Sequence, residues 1–237
     1  MSRVNRSLLA VAILILGMPS LARATSYTGT LDTSGGGLTG SGNWASDVSL
    51  KWTVDDTSNP LFWTYMYTFL FPANSIEDVR VLTEVSNTFT SSNIHGTPTI
   101  TNCADCEDLT PPTAPATYNP GGDYPSLPSS FFALRWSWEL DDVVLTLVTD
   151  RSPVWGDFYA VGENKDDDDD DSTITSTVHN SGFGNPDIDP TDPPADGSVS
   201  YNLLVPDTAS VIPEPSSMLL LGSGLIGIAR AARRRKR

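Results

Sequence analysis

Trp63-Thr64-Tyr65-Met66-Tyr67-Thr68-Phe69-Leu70-Phe71 alternates without a break. Trp63, Tyr65, Tyr67, Phe69 and Phe71 fall on one face, and Thr64, Met66, Thr68 and Leu70 fall on the other. Period two belongs to a β-strand, whose successive side chains point to opposite sides. Five aromatic rings in one row are too apolar to leave in water, so this run predicts a strand with its aromatic face in a core. Upstream, Val48, Leu50, Trp52 and Val54 alternate with Ser49, Lys51 and Thr53. Downstream, Phe132, Leu134, Trp136, Trp138 and Leu140 alternate with Ala133, Arg135, Ser137 and Glu139. Shorter strand candidates lie at 26–31, 79–85, 143–149, 155–161, 173–178 and 199–205, with turn formers such as Asp55-Asp56-Thr57-Ser58-Asn59-Pro60 between them. No amphipathic helix interrupts the series. About nine short strands without crossover helices pair antiparallel, and an all-β sandwich of jelly-roll type over residues 25–205 is the expected fold. The six Trp are most simply core and rim residues; the alternative use is stacking on sugar rings. Long loops are expected at 97–130 and 164–197, and Gly35-Gly36-Gly37, with Gly40 and Gly42, reads as a flexible loop.

Charge divides the chain into a body and two ends. The whole of 237 residues carries 14 Lys and Arg against 29 Asp and Glu. Residues 25–212 hold only five of those bases against 28 of the acids, a net of about −23. A body this acidic excludes nucleic-acid binding, because it has too little positive charge to neutralise phosphates.

The first 24 residues have the layout of a signal peptide: Arg3 and Arg6, an apolar core over 8–18, Pro19, then Ala22-Arg23-Ala24. Small residues at Ala22 and Ala24 suit signal peptidase, which is expected to cut after Ala24. The apolar core is well short of the ~20 residues of a membrane span.

At the other end, residues 216–229 are apolar or small, and Arg230, Arg233, Arg234, Arg235, Lys236 and Arg237 follow. A helix over 216–232 would be roughly 25 Å long, short but workable for one membrane crossing. The basic cluster should keep the tail cytoplasmic and leave the body outside. Before the helix stands Pro213-Glu214-Pro215, and two prolines hold that segment extended at the membrane surface. Residues 206–212 read as a linker.

This order of Pro-Glu-Pro, a Gly-containing apolar helix and a terminal Arg cluster resembles the PEP-CTERM sorting signal, over residues 213–237. The resemblance implies recognition by exosortase, a membrane-embedded, cysteine protease-like enzyme of Gram-negative bacteria that removes helix and tail. It implies transient anchoring in the inner membrane and then a place at the cell surface or in the extracellular matrix. It speaks to sorting only, since bodies carrying this tail differ widely. The stretches 82–90 and 152–160 are similar to segments of other PEP-CTERM bodies, a similarity to which no activity attaches.

Other candidate chemistry is weighed residue by residue. Cys103 and Cys106 form the only cysteine pair, and in an exported chain a disulfide is the default. Six consecutive Asp, 166–171, repel one another and read as a solvated loop. Asn185, Asp187, Asp189, Asp192 and Asp196 are spaced better for calcium, since alternate residues can share a side; a plain exposed loop explains them equally. No other cofactor is implied. There is no G-x-S-x-G, H-E-x-x-H or phosphate loop, so no residue is assigned as catalytic. His95 and His179 both read as turn residues on the surface. The expected function is a non-enzymatic surface or matrix protein, structural or adhesive, of the kind found in biofilm. The runner-up is a carbohydrate-binding module acting on exopolysaccharide, calcium-assisted or not, and the third reading is a glycan-degrading enzyme.

Overall fold

The aromatic run becomes the middle strand of a sheet in a computed structural model that describes residues 25–59, 61–72, 78–102, 109–139, 142–165, 173–184 and 195–206. Strands β1 (Ser26–Asp32), β3 (Ser49–Asp55), β4 (Trp63–Leu70), β9 (Val143–Thr149) and β6 (Thr99–Thr101) make a five-stranded antiparallel sheet in the order β1-β3-β4-β9-β6. The register follows from the aromatic row: Tyr67 stands between Trp52 and Leu145, Tyr65 between Val54 and Leu147, and Phe69 between Leu50 and Val143. One residue of slip would turn every one of these rings to solvent, so the pattern pins the pairing.

Six strands make the second sheet: β2 (Leu38–Ser41), β12 (Thr173–Asn180), β11 (Phe158–Lys165), β5 (Asp78–Glu84), β8 (Phe131–Trp138) and β7 (Ala116–Tyr118), in the order β2-β12-β11-β5-β8-β7. Its inner row runs Val178, Ala160, Val81, Trp136. The two inner rows share one core, in which Tyr65, Tyr67, Phe69, Trp136 and Phe158 are wholly buried. Phe69 of one sheet meets Phe158 of the other edge-on, with ring centroids 5.6 Å apart. Buried polar tips find partners: the Tyr67 hydroxyl donates to the Leu204 carbonyl at 2.8 Å, and Trp136 Nε1 donates to Thr83 Oγ1 at 3.1 Å. Burial pushes the Tyr67 hydroxyl far above its ordinary pKa, so it stays a donor. A small ladder of β10 (Pro153–Gly156) and β13 (Leu203–Pro206) touches both β3 and β5.

Outside the six-stranded sheet lies a second apolar cluster. Leu82, Tyr159, Val161 and Ala133 are covered by Leu127, Tyr118, Tyr124 and Phe131 from the 118–131 segment. Outside the five-stranded sheet, Thr28, Thr53, Met66, Thr146 and Thr99 stand side by side across all five strands. Next to them run Thr30, Lys51, Thr68, Val144 and Thr101.

Several expectations change. The 97–130 loop contains β6 and β7, which are three residues each and too short to show a period. The run 155–161 divides at Asp157 into β10 and β11, because the Asp157 N–H bonds the Glu84 carboxylate (2.8 Å) rather than a ladder carbonyl. The run 199–205 keeps only its second half, as β13. Part of the glycine stretch is strand rather than loop: Gly40 lies in β2, which pairs with β12, and a Cβ there would lie 1.9 Å from the Trp44 carbonyl oxygen, so only glycine lets the chain fold back there, while residues 33–36 form a turn. The signal peptide, the C-terminal helix and basic cluster, the acidic run and the cysteine pair lie outside the described residues. Among the described residues no helix is long and apolar enough to cross a membrane.

Candidate functional site

A cleft of about 280 Å³ opens beside the end of β1, between the turn that begins at Asp32 and a turn at residues 198–202. The Asp32 side is a short polar turn. Its Oδ1 accepts from the Ser34 hydroxyl (2.7 Å) and from the Gly35 N–H. Asp followed by Ser and Gly forms such turns because the short carboxylate reaches its own downstream backbone. The Ser34 hydroxyl, then the Gly35 N–H, hold the Asp32 carboxyl below the usual carboxylate range, so it is ionised at neutral pH. The Ser34 N–H adds a weaker contribution, and Asp32 lines the cleft beside these donors.

The opposite side is built from long-range contacts. Asn180 and Asn202 are completely buried and Asp157 is nearly so. Asn180 Nδ2 donates to Asp157 Oδ1 (2.7 Å) and to Asn202 Oδ1 (3.2 Å), while its own Oδ1 accepts from the Phe158 N–H (3.0 Å). The Gly184 N–H donates to Asp157 Oδ2 at 2.9 Å. A buried polar network satisfied in this way is rigid and holds its neighbours in one arrangement. The 198–202 turn lies directly on it, and a Cβ at Gly182 would sit 2.2 Å from the Ser200 carbonyl oxygen. Ser198 Oγ donates to the Asn202 carbonyl (2.6 Å) and the Asn202 N–H to the Val199 carbonyl (2.9 Å), closing the turn.

Two consecutive residues of this turn carry left-handed backbone, Ser200 at φ 52° and Tyr201 at φ 62°. Such a conformation costs a non-glycine residue about 1–2 kcal/mol. Tyr201 recovers little of it by packing, because it is 51% exposed at the mouth of the cleft. Thr30, Ser198 and Ser200 add hydroxyl groups to the lining.

A second polar cluster holds the 90–95 turn. The His95 ring stacks on Phe62 at 3.9 Å, with Nε2 3.9 Å from Asp150 Oδ2. Asn93 Nδ2 donates to Asp150 Oδ1 (2.9 Å), and Arg151 Nη2 donates to Asn93 Oδ1 (3.2 Å) and the Thr88 carbonyl (3.1 Å). These bonds tie the turn to the end of β9. His179 is a strand residue of β12, not a turn residue. Burial lowers its pKa, and its ring meets Phe183 edge-on.

Of the residues singled out from sequence, Pro213, Glu214, Pro215, Ala22, Ala24, Cys103, Cys106, Asn185, Asp187, Asp189 and Asp192 lie outside the described residues. Asp196 is described, and its Oδ1 accepts from the Thr28 N–H at 2.9 Å. With the Gly197 N–H on the Thr28 carbonyl (2.7 Å), it closes the open edge of β1. Among the described residues no group of three or more His, Cys, Asp and Glu could hold a metal ion. Five of the six Trp (Trp44, Trp52, Trp136, Trp138 and Trp155) are buried, which assigns them to the core. Asp32 and Tyr201 escaped the sequence reading. Val199-Ser200-Tyr201-Asn202-Leu203 alternates like a strand, and only the Asp196-Gly197 turn pair before it marks a bend.

Residues 211–236 match the family model described as the PEP-CTERM protein-sorting motif. The chain therefore carries that motif, which implies exosortase as its processing partner and export with membrane-associated sorting toward the surface. No curated protein matches the chain. One similar solved structure is the KRT10-binding region domain of the pneumococcal serine rich repeat protein PsrP. It is 9% identical over 65% of this chain and 96% of that one, with a TM-score of 0.18, a likeness too slight to bear on the body.

Proposed function

We propose that this is a non-enzymatic surface or matrix protein of a Gram-negative bacterium, whose jelly-roll-like sandwich serves a structural or adhesive role. Signal peptidase cuts after Ala24, the helix over 216–232 holds the chain in the inner membrane, and exosortase then removes the tail. The sorting motif at 211–236 is the observation that carries this reading. Glu214 is the charged residue between two prolines, which would keep it out of a helix, and a receptor can read it by hydrogen bonds that alanine cannot make. In a host with exosortase, Glu214→Ala should still be exported and inserted but should stay full-length in the inner membrane. Blots of membrane and released fractions check this, and a variant that matures like wild type removes the sorting reading.

A second reading, a carbohydrate-binding module acting on exopolysaccharide, is favoured by one feature of the body. The cleft sets an exposed aromatic ring, Tyr201, against a carboxylate, Asp32, and several hydroxyls. Retention of the body on the host's exopolysaccharide, with and without EDTA, separates an adhesive module from a purely structural one and tests for calcium.

A further inference from the structure

We infer that the cleft between the Asp32 turn and the 198–202 turn is a subsite for one neutral or amino sugar ring, with Tyr201 as its stacking platform and Asp32 as its hydroxyl acceptor. This rests on the carbohydrate reading and adds the site and the class of ring. Size comes first. A cleft of about 280 Å³ falls just below the range of small-molecule pockets, roughly 300–1,000 Å³, so it takes one ring and not a length of chain.

Chemistry comes next. A sugar ring offers a face of C–H groups and a rim of hydroxyls. Its complement is an aromatic face beside hydrogen-bonding groups, and the cleft has both. Tyr201 lines the cleft and is half exposed. The Asp32 carboxylate in the lining can accept from sugar hydroxyls, and a bond to an ionised carboxylate is about twice as strong as a neutral one. Thr30 and Ser200 can donate or accept, whereas Ser198 has committed its proton to the Asn202 carbonyl and can only accept.

Charge narrows the ring. An ionised carboxylate in the wall of a body with a net charge of about −23 repels uronates and sulfated sugars. It tolerates neutral hexoses and attracts an ammonium group.

The backbone supplies an independent observation. Tyr201 adopts a left-handed conformation that a bulky residue rarely takes, yet half of it is exposed. Glycine would fit this position with less strain. The network of Asn180, Asn202 and Asp157 holds the turn in place regardless, so the backbone carries Tyr201 to the cleft in one arrangement. Strain maintained around an exposed side chain is characteristic of binding sites, and a pre-set platform avoids the entropy of ordering a loop on binding.

The experiment uses the full-length chain purified in detergent, titrated calorimetrically with the methyl glycosides of glucose, galactose and mannose, with glucosamine and with glucuronate. At least one neutral or amino probe should saturate with a Kd on the order of 1–10 mM, the affinity reasonable for a single ring. Glucuronate should give no binding. Tyr201→Phe should stay within about threefold of wild type, since it keeps the ring. Tyr201→Gly should weaken binding at least about tenfold, while its Tm stays level or rises by about 2–4 °C as the strain is relieved. Asp32→Asn keeps an oxygen for Ser34 and Gly35, so the turn survives, but it should weaken glucosamine most. The proposal is overturned if no neutral or amino probe saturates, if glucuronate binds best, or if Tyr201→Gly and Asp32→Asn bind like wild type. Retention of the Tyr201→Gly variant on the host's bulk exopolysaccharide, at wild-type level, would keep a carbohydrate module and remove this cleft from it.

Discussion

On the outside of the six-stranded sheet, Leu82, Tyr159 and Val161 disappear beneath Leu127 and the rings of Tyr118 and Tyr124, and the Tyr159 hydroxyl donates to the Pro125 carbonyl. On the outside of the five-stranded sheet, Thr53, Met66 and Thr146 form a row in which Met66 is 39% exposed. Both faces belong to central strands with equally apolar inner rows, so the difference lies only in alternate residues. Where those are Leu, Tyr and Val, the chain between β7 and β8 folds over them and builds a second core. Where they are Thr, the strands keep their β-propensity through branched side chains but gain nothing from a cover. A sheet face is thus assigned to packing or to water by its outer alternate residues, independently of the shared interior.

Substitutions in each layer should break this pattern by different amounts. The largest effect is expected in the core that lies under both faces. Trp136→Ala removes a wholly buried ring and strands the Thr83 hydroxyl, and should cost about 3–5 kcal/mol in denaturant unfolding. Next comes the covered face: Leu82→Ala should cost about 2–5 kcal/mol if the second cluster is a true core. A loss under about 0.5 kcal/mol would mean that the 118–131 segment only rests on the sheet.

A smaller effect is expected from acid, at the end of the bare sheet. Burial pushes the Asp55 carboxyl up, but bonds from the Thr57 hydroxyl, the Ser58 and Thr57 N–H groups and the Ser58 hydroxyl outweigh it and hold the carboxyl below its ordinary value of 3.8. A depressed folded pKa gives stability that is complete above the unfolded value and is lost as pH falls through the folded one. The melting temperature should therefore drop below about pH 4, and Asp55→Ala should make that drop shallower. An equal acid slope in the variant would locate the sensitivity elsewhere. The smallest change belongs to the bare face itself: Met66→Ala should shift stability by no more than about 0.5 kcal/mol, at least about six times less than the core variant.

Much of this arrangement is legible in the sequence. The rows through Trp52, Tyr67 and Trp136 announce their strands because large apolar residues recur every second position over seven or eight residues. β9 begins and ends where its sequence pattern does, at Val143 and Thr149. β2, β6 and β7 were hidden, since strands of only three or four residues are too short to carry a period and are held in place by their neighbours. The cleft was hidden for a different reason. The alternation at 199–205 is as regular as in a strand, yet Asn202 is drawn into a bond with Asn180, and the two residues before it must turn left-handed to allow that. Such a contact has no local signature. The sorting signal is the opposite case: its order of prolines, apolar run and arginines is readable entirely from the sequence.

Both outer faces and the cleft serve a surface role only if the body leaves the cell without its two ends. The most direct test is intact-mass spectrometry of the protein released by a host that has exosortase. The expected mass is that of a chain starting at Thr25 and lacking the apolar helix and the basic cluster. A released chain that still carries Arg233, Arg234 and Arg235, or a protein found only as the full-length membrane form, would contradict the account.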